Sequence, residues 1–457
     1  MYNTTRGDSF MKYYLLEYAI SGIKSINKEI KISFYNNTLG KELDMTNHNI
    51  KAIYGENGAG KSAIVHGIEF YKNIMSFSND FNSSLSKEYY RELINKEEKD
   101  VNLSFVFAFL NDYIKEKKTT NVYKHIIKFG LDEFDNLVIK KEEFLKLNGT
   151  RRIKDENFNV LFSSENGKIV SSNFKAEINE LLKNITANTL ENNSFLMTLY
   201  KYIVKNNDDY KKESSDMWDL IAGMGFHMNL LYINLAGDNH HGYSISKLIE
   251  HNTEMTNNIK EILSEPSFIV NSRLNKIPKP NFDNYKKYIK KVETFIKLFK
   301  KDLKSIDIKT TEDSDYYYCE LLFNYGTYLV SEEYESTGIK KLTKLYSSFE
   351  SMYKGCILFI DEFDANLHDV YFTELVKFMM KNSGGQLIIT THNISLMECI
   401  KTNKHSIDFL SSDSILVPWV KNGNYKPSVV YKDGMIPYSP FNIDADDFMR
   451  AFYYDEE

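Results

Sequence analysis

A glycine-rich segment between a short apolar run and an amphipathic stretch constrains this chain more than any other feature. The run at 50–54, IKAIY, is typical of a β-strand and leads directly into GENGAGKS at 55–62. From Ser62 onwards apolar residues recur at helical spacing. A strand, a turn that fits G-x-x-x-x-G-K-[ST] at each fixed position, and a helix follow in that order. The sequence therefore predicts an α/β core with a phosphate-binding loop at a strand end.

Each residue type in this loop suits a phosphate ligand. Glycines let successive backbone N–H groups turn towards phosphate oxygens, and the helix N-terminus adds partial positive charge. We expect Lys61 to reach the β- and γ-phosphates and Ser62 to ligate Mg²⁺. A chance glycine turn is the alternative, and the flanking strand and helix argue against it. The candidate nucleotide-binding residues here are Gly55, Asn57, Gly58, Gly60, Lys61, Ser62 and Ala63.

A second apolar run, at 356–360, ends in Asp361 and Glu362. A run that is apolar at every position predicts a strand buried on both faces of a parallel sheet, where ligands bind beyond the carboxyl ends of the strands. Adjacent strand residues point to opposite sides, so the two acids take different roles. We expect Asp361 to be a metal ligand that holds Mg²⁺ through water, and Glu362 to be the general base for an attacking water. A solvated strand end is the alternative.

A third apolar run, QLIIT at 386–390, is followed by Thr391, His392 and Asn393. A lone histidine after a strand is more often a structural hydrogen-bonding group than a catalytic one. Because this one follows the acidic strand with a predicted helix between them, we interpret His392 as a sensor of the γ-phosphate. The catalytic candidates are therefore Lys61, Glu362 and His392.

A short polar segment, Glu335-Ser336-Thr337-Gly338, precedes an amphipathic helix. Taken alone, Ser336 reads as the N-cap of that helix. The segments GENGAGKS, ESTG, ILFIDEFDANLH and IITTHN occur in this order and together resemble the ABC-type ATPase heads of the RecF/SMC/OLD group. More narrowly, they resemble the bacterial AAA family ATPases found in anti-phage defence operons. The resemblance covers approximately residues 11–170 and 315–440.

This resemblance implies an α/β fold of the ABC-type P-loop NTPase head, with a mixed central sheet, an antiparallel β layer and a helical insertion. It implies ATP and Mg²⁺ as cofactors. Ser336 and Gly338 would bind the nucleotide held by a second subunit, so that ATP joins two heads head to tail. Asp364, Asn366 and His368 would occupy the D-loop beside that seam. The chain departs from many relatives at Ile339, where they carry a small or hydroxylated residue, and no glutamine is assigned to the Q-loop.

The 457 residues are too many for one ordinary core, and we divide them into five segments. Alternating runs within 13–34 predict an antiparallel hairpin, 101–170 a β-meander, and ILVPWV with SVVYK a closing hairpin. The segments are a flexible leader at 1–10, an N-terminal ATPase lobe at 11–171, a helical insertion at 172–314, a C-terminal ATPase lobe at 315–440 and an acidic aromatic tail at 441–457.

Composition narrows the choice of partners. With a net charge of −6 the chain has no overall positive field that would attract nucleic acid. DNA contact would therefore need a local basic patch, such as the lysine-rich helix at 285–304. A solvated helix face is the alternative for that segment. Three dispersed cysteines, together with the lack of an apolar run of ~18 residues, predict a cytoplasmic protein that does not enter a membrane.

Two further acidic or histidine-rich segments do not predict chemistry. His240 and His241 beside Asp238 read as a polar turn rather than a metal site, because adjacent residues do not easily face one ion. Asp444–Asp447 is similar to a Toprim nuclease motif. A separate nuclease domain would need on the order of 100 residues, however, and only 65 follow His392. We therefore expect the tail to dock a partner protein.

These observations predict an Mg²⁺-dependent ATP hydrolase that forms a dimer or higher homo-oligomer. From the resemblance we expect a sensor or scaffold of an anti-phage defence system that controls a separately encoded effector, a nuclease or toxin, in response to DNA or a phage protein. One alternative is a RecF/SMC-like DNA repair ATPase that binds DNA through the lysine-rich helix. Another is a scaffold that binds ATP with negligible turnover.

Overall fold

The computed structural model describes residues 11–36, 38–40, 42–75, 84–111, 119–186, 193–199, 215–233, 274–420, 425–436 and 452. Its strands are β1 (Met11–Ser21), β2 (Ile30–Ser33), β3 (Ile50–Gly55), β4 (Asp100–Asn111), β5 (Thr119–Leu131), β6 (Leu137–Leu147), β7 (Phe158–Glu165), β8 (Lys168–Ser172), β9 (Leu230–Ile233), β10 (Asn275–Pro278), β11 (Ser305–Glu312), β12 (Tyr316–Asn324), β13 (Leu329–Ser331), β14 (Ile357–Ile360), β15 (Gln386–Thr390), β16 (Ile407–Leu410) and β17 (Leu416–Pro418).

The helices are α1 (Lys61–Met75), α2 (Ser84–Leu93), α3 (Ala176–Thr186), α4 (Ser215–Asn229), α5 (Phe282–Ile296), α6 (Thr337–Lys354), α7 (Asp369–Asn382), α8 (Ile394–Ile400) and α9 (Pro427–Lys432). Among the described residues, none of these helices combines the length and the apolar character that a membrane span needs.

The central sheet has six strands in the order β17-β16-β3-β15-β14-β9. All neighbouring pairs are parallel except β16 with β17. Strands β3, β14 and β15 are buried along their whole length. The parallel sheet predicted from the apolar runs is therefore confirmed, and the carboxyl ends of β3, β14 and β15 lie side by side.

Alternate residues of the central strands enter two different cores. Ile53, Phe359 and Ile388 pack with α1 and the seven-stranded sheet on one face. Ile360 and Ile389 pack with α6, α7 and α8 on the other. This division follows from the alternation of side chains along a strand.

An antiparallel sheet of seven strands, ordered β2-β1-β4-β5-β6-β7-β8, covers the α1 side of the central sheet. It includes the predicted hairpin at 13–34 and the predicted meander at 101–170, both of which are confirmed. A smaller antiparallel sheet, β10-β12-β11 with β13 paired to β12, packs against α5 and α6. A mixed central sheet with an antiparallel β layer is thus the observed architecture.

The buried side chain of Gln386 joins the two larger sheets. Its amide oxygen accepts a hydrogen bond from the backbone N–H of Leu15 at 2.7 Å, and its amide nitrogen donates to the Leu15 carbonyl at 3.0 Å. Strand β1 bulges between Leu15 and Glu17, and its pairing with β2 covers only Glu17 to Ile20. Gln386 therefore satisfies backbone groups of β1 that lie beyond the end of β2.

Two sequence predictions need correction. The segment 172–314 is not simply a helical insertion, because β9 is the edge strand of the central sheet beside β14, and β10 and β11 belong to the small sheet. β9 is short and directly follows the apolar helix α4, so periodicity does not separate the two elements.

The predicted closing hairpin is also wrong, because SVVYK lies in helix α9, which begins at Pro427, a residue favoured at the first helical position. The strand β17 pairs with β16 instead. The leader at 1–10 and the tail at 441–457, apart from Phe452, lie outside the described residues.

Candidate nucleotide site

The loop Gly55–Ser62 links the end of β3 to the first turn of α1. Gly60 has a φ of +104°, a conformation that residues with a side chain rarely adopt. An added Cβ there would also lie 2.8 Å from the Ile26 side chain. Asn57 and Gly58 are exposed at the loop tip, Ser62 is half-buried, and Ala63 is buried beneath it. The loop thus presents its backbone at the surface above the central sheet.

Lys61 is folded back onto this loop. Its ammonium group donates hydrogen bonds to the carbonyl oxygens of Gly55 at 2.9 Å and Glu56 at 2.7 Å. Burial lowers the pKa of Lys61, and the negative charges of Asp361 and Glu362 oppose that shift. The acidic end of β14 therefore acts electrostatically on the lysine of the loop.

Asp361 is a buried carboxylate with one paired oxygen. Its Oδ1 accepts a hydrogen bond from the hydroxyl group of Thr390. Its Oδ2 is buried and has no hydrogen-bond partner among the described residues. A buried carboxylate oxygen without a partner costs free energy of folding, and a bound cation would remove that cost. This oxygen is therefore suited to bind a cation. Asp361 and the half-buried Ser62 are the residues that would hold Mg²⁺ at this site.

Glu362 has an unusual backbone conformation. Its φ of +46° places it in the left-handed region that favours glycine. Its amide donates a hydrogen bond to the Thr390 hydroxyl oxygen at 2.9 Å, and its carbonyl accepts one from Lys341 at 2.9 Å. The side chain is half-buried. Strain of this kind persists where surrounding contacts hold it, and it concentrates at functional sites.

His392 follows β15 and is exposed at the same edge of the sheet. Partial desolvation and the positive charge of Lys61 lower the pKa of His392, while the nearby carboxylates of Asp364 and Glu362 oppose the shift. The lowered pKa favours the neutral form of the imidazole. The neighbouring Asn393 caps helix α8, since its side chain accepts a hydrogen bond from the Leu396 amide.

Ser336 and Gly338 lie at the start of helix α6. The Ser336 hydroxyl oxygen accepts a hydrogen bond from the Ile339 amide at 3.4 Å, so it is an N-cap, and its side chain is exposed. An added Cβ on Gly338 would lie 2.7 Å from the carbonyl oxygen of Asn366. This close approach packs the first turn of α6 against the loop that follows Glu362. Within that loop Asp364 is half-buried, and His368 caps helix α7 through the Val370 amide at 3.3 Å.

Four residues of the site were missed by sequence reasoning. Thr390 and Lys341 hold Glu362, as described above. Ser25 donates a hydrogen bond to the Gly58 carbonyl at 3.0 Å, and the Nζ of Lys24 lies 2.9 Å from Nε2 of His66. Desolvation lowers the pKa of Lys24, and the negative charge of Asp361 is the largest effect that opposes this shift. Lys24 and Ser25 lie in the turn between β1 and β2, where no motif marks them, whereas Thr390 lies two positions before the predicted His392.

The lysine-rich helix α5 pairs most of its ammonium groups with carboxylates. Glu293, which is buried, accepts from both Lys290 and Lys297. Further ion pairs of the segment join Lys286 to Asp283, Lys291 to Glu350, and Lys300 to Asp302. Its apolar stripe packs into the core against α6. This arrangement favours the interpretation of a solvated helix face over a DNA-binding patch. His240, His241 and Asp444–Asp447 lie outside the described residues.

Comparisons with known proteins found a matching family model and similar solved structures. The family model described as "AAA domain, putative AbiEii toxin, Type IV TA system" matches residues 50–398, which include the segments GENGAGKS, ESTG, ILFIDEFDANLH and IITTHN. Two solved structures of the recombination mediator protein RecF in the RecFOR pathway, RecF-ATP and RecF-ATPrS, are 16% and 17% identical, with TM-scores of 0.34 and 0.33. The alignments cover 90% of this chain and 100% and 99% of the RecF chains. A search of the curated proteins found no match.

Proposed function

The chain belongs to the family described as AAA domain, putative AbiEii toxin, Type IV TA system, and from that premise we propose that it hydrolyses ATP as a head-to-tail dimer. In this proposal ATP turnover switches a sensor or scaffold of an anti-phage defence system. The switch controls a separately encoded effector, such as a nuclease or toxin. Each part of the proposal rests on a different observation.

The hydrolysis proposal is supported by the placement of Lys61, Asp361, Glu362 and His392 after neighbouring strands of the central sheet. Desolvation lowers the pKa of Lys61 and of His392, and the negative charges of Asp361 and Glu362 oppose both shifts. Since these residues follow β3, β14 and β15, which are neighbours in the sheet, the parallel topology brings them together. The left-handed backbone of Glu362 is held by hydrogen bonds on both sides. Such a restraint suits a general base, whose carboxylate must point at the attacking water.

In the proposed reaction a water oxygen attacks the γ-phosphorus of ATP, and the Glu362 carboxylate accepts a proton from that water. The bond from the γ-phosphorus to the bridging oxygen breaks, and its electron pair stays on ADP. Lys61 exchanges the carbonyls of Gly55 and Glu56 for phosphate oxygens. Neutral His392 donates its ring N–H to the γ-phosphate. Mg²⁺ that arrives with the nucleotide, held by Ser62 and Asp361, would neutralise phosphate charge.

The dimer proposal rests on the start of α6. Ser336 is exposed and its capping hydrogen bond to the Ile339 amide is long, at 3.4 Å. Helix α6 has 18 residues, and the N-terminus of such a helix favours an anionic ligand. We propose that the Ser336 hydroxyl and the backbone at Gly338 contact the γ-phosphate held by a second copy. ATP would then lie between two chains.

The proposed defence role rests on the family description and on the resemblance of the four segments to defence-associated ATPases. The pairing of the α5 lysines weighs against the DNA repair alternative, because paired ammonium groups are less available to phosphates. We therefore propose that the partner is a protein effector, with DNA or a phage protein as the trigger.

Phosphate release and molar mass in solution, each measured with and without MgATP, test the first two parts. We expect the parent chain to turn over ATP and to double its mass with MgATP. Glu362→Gln should keep the ATP-dependent dimer and lose turnover at least ~100-fold. Lys61→Ala should lose nucleotide binding, whereas Lys96→Ala, which removes a lysine paired on the surface with Glu92, should behave like the parent.

Other results would select the alternatives. An ATP-dependent dimer without turnover in the parent would make the chain a scaffold, and salt-sensitive DNA binding would favour a repair ATPase. For the defence role, the chain and its neighbouring gene are expressed together and separately in phage-challenged cells. Protection that needs both genes and an intact Lys61 supports the effector proposal. Growth arrest by the chain alone would instead identify the chain itself as the toxin.

A further inference from the structure

Lys341 connects the first turns of helix α6 to the loop that carries Glu362. Its ammonium group donates hydrogen bonds to the carbonyl oxygens of Glu362 at 2.9 Å and Ala365 at 2.7 Å. We propose that Lys341 is a positioning residue that couples the Ser336–Gly338 segment to Glu362 within one chain. Engagement of Ser336 by the partner's nucleotide then sets the general base of the chain's own site. This inference rests on the dimeric ATPase function proposed above.

The loop from Glu362 to Asn366 needs such a restraint. Glu362 and Asn366 have φ values of +46° and +61°, both in the left-handed region. The loop's own hydrogen bond, from the Ala365 amide to the Glu362 carbonyl at 3.1 Å, closes a single turn. Thr390 holds the amide of Glu362, and Lys341 holds its carbonyl. The peptide units on both sides of the Glu362 Cα are thereby fixed, and so is the direction of its side chain.

The ammonium group of Lys341 is committed to this loop. The residue is 7% exposed, and within the described part of the chain its ammonium group donates to backbone carbonyls rather than to a carboxylate. Burial lowers the pKa of Lys341 to about 8, against the opposing charges of Asp364 and Glu362. It therefore carries its proton at neutral pH and can donate to both carbonyls. Burial of a lysine is costly, and here it fixes the geometry of a loop with two unusual residues.

Helix α6 contacts this loop at a second point. Gly338 packs so closely on the Asn366 carbonyl that an added Cβ would lie 2.7 Å from its oxygen. Gly338 and Lys341 are three positions apart and therefore lie on the same face of α6, so a rigid shift of the helix moves both contacts together. Ser336, which caps the same helix, faces outwards. A displacement of α6 by a ligand at Ser336 is thus transmitted to the backbone of Glu362.

Three variants test the positioning role. Lys341→Met removes the donor and keeps the length of the side chain, Lys341→Arg keeps a donor, and Lys344→Met is the control one turn further along α6. We expect Lys341→Met to lower kcat by about tenfold to a hundredfold with KM for ATP and the ATP-dependent dimer unchanged. Lys341→Arg should recover most of kcat, and Lys344→Met should match the parent. Equal thermal midpoints would exclude general unfolding as the cause.

A double-mutant cycle tests the coupling itself. Ser336→Ala and Lys341→Met are made singly and together. If Lys341 transmits engagement at Ser336, the double variant loses little more kcat than the worse single variant, within about threefold. Losses that multiply, or a Lys341→Met enzyme with the parent's kcat, would overturn the proposal.

A readout independent of turnover separates this inference from the function on which it rests. Amide hydrogen exchange of residues 362–366 and 57–62 is measured with and without MgATP. The parent should gain protection in both segments, and Lys341→Met should gain it only in 57–62. A parent without turnover contradicts the proposed hydrolysis. Equal protection of 362–366 in the parent and in Lys341→Met contradicts the role of Lys341, whatever the turnover.

Discussion

The hydroxyl group of Thr390 serves two neighbouring residues at the end of β14. It donates a hydrogen bond to Oδ1 of Asp361 and accepts one from the Glu362 amide at 2.9 Å. Thr390 is 1% exposed, so water does not replace a lost partner easily. Thr390→Val removes both hydrogen bonds with little change in side-chain volume. The stability of this variant therefore measures the polar connection rather than packing.

The expected loss follows from the two contacts. A hydrogen bond to a charged group contributes about 1.5–3 kcal/mol, and a buried amide left without an acceptor costs about 1–3 kcal/mol. Asp361 would also keep no hydrogen bond on either carboxylate oxygen, since Oδ2 already lacks one among the described residues. We expect Thr390→Val to lower the free energy of unfolding by about 3–5 kcal/mol. We expect kcat to fall as well, because the Glu362 amide loses its fixed acceptor.

Equilibrium unfolding in urea, with turnover measured in parallel, checks this prediction. Thr390→Ser keeps the hydroxyl and should lose only about 1 kcal/mol for the missing methyl group. Thr343→Val is the matched control, because the buried Thr343 hydroxyl donates to the Ile339 carbonyl of its own helix. The reasoning is refuted if Thr390→Val costs no more than Thr343→Val, or if Ser and Val at position 390 cost the same.

Two further predictions concern stability. Gln386→Leu should lower the free energy of unfolding by about 2–5 kcal/mol, since it leaves the buried N–H and C=O of Leu15 unpaired, and urea unfolding measures the loss. Burial raises the pKa of Glu332 to about 8 from 4.5. The folded chain therefore loses stability, on the order of a few kcal/mol, as pH rises from about 4.5 to about 8. Glu332→Gln should raise the thermal midpoint most at pH 8 and least near pH 5; an equal gain at both would contradict this.

Several residues of the candidate nucleotide site could be predicted from the sequence, because they follow from local chain patterns. The loop Gly55–Ser62 requires only a strand, glycines and a helix start, all of which are adjacent in sequence. Asp361 and Glu362 follow one run of apolar residues, and His392 lies three positions after the last apolar residue of another. Such runs predict buried parallel strands, and the ends of neighbouring parallel strands meet at one edge.

Other features were not readable from these patterns. β9 was hidden because it directly follows an apolar helix and is four residues long. The lysines of α5 read equally well as a DNA patch or as a solvated face, and only their carboxylate partners on α5 and α6 distinguish the two. The segment Glu335–Gly338 is consistent with a helical N-cap at Ser336 and also with the proposed contact of Ser336 with a second chain. Sequence alone does not choose between them.

By itself, then, the sequence determined that this chain builds a parallel sheet with a phosphate-type loop and acidic residues at the ends of its strands. The tertiary structure decided how those residues are held. Gln386 reaches Leu15 across 371 positions, Thr390 reaches Asp361 across 29, and Lys341 reaches Glu362 across 21. A single polar side chain has no periodicity and no preferred sequence distance to its partner. Its hydrogen bonds are therefore fixed only when the packed sheets and helices bring donor and acceptor together.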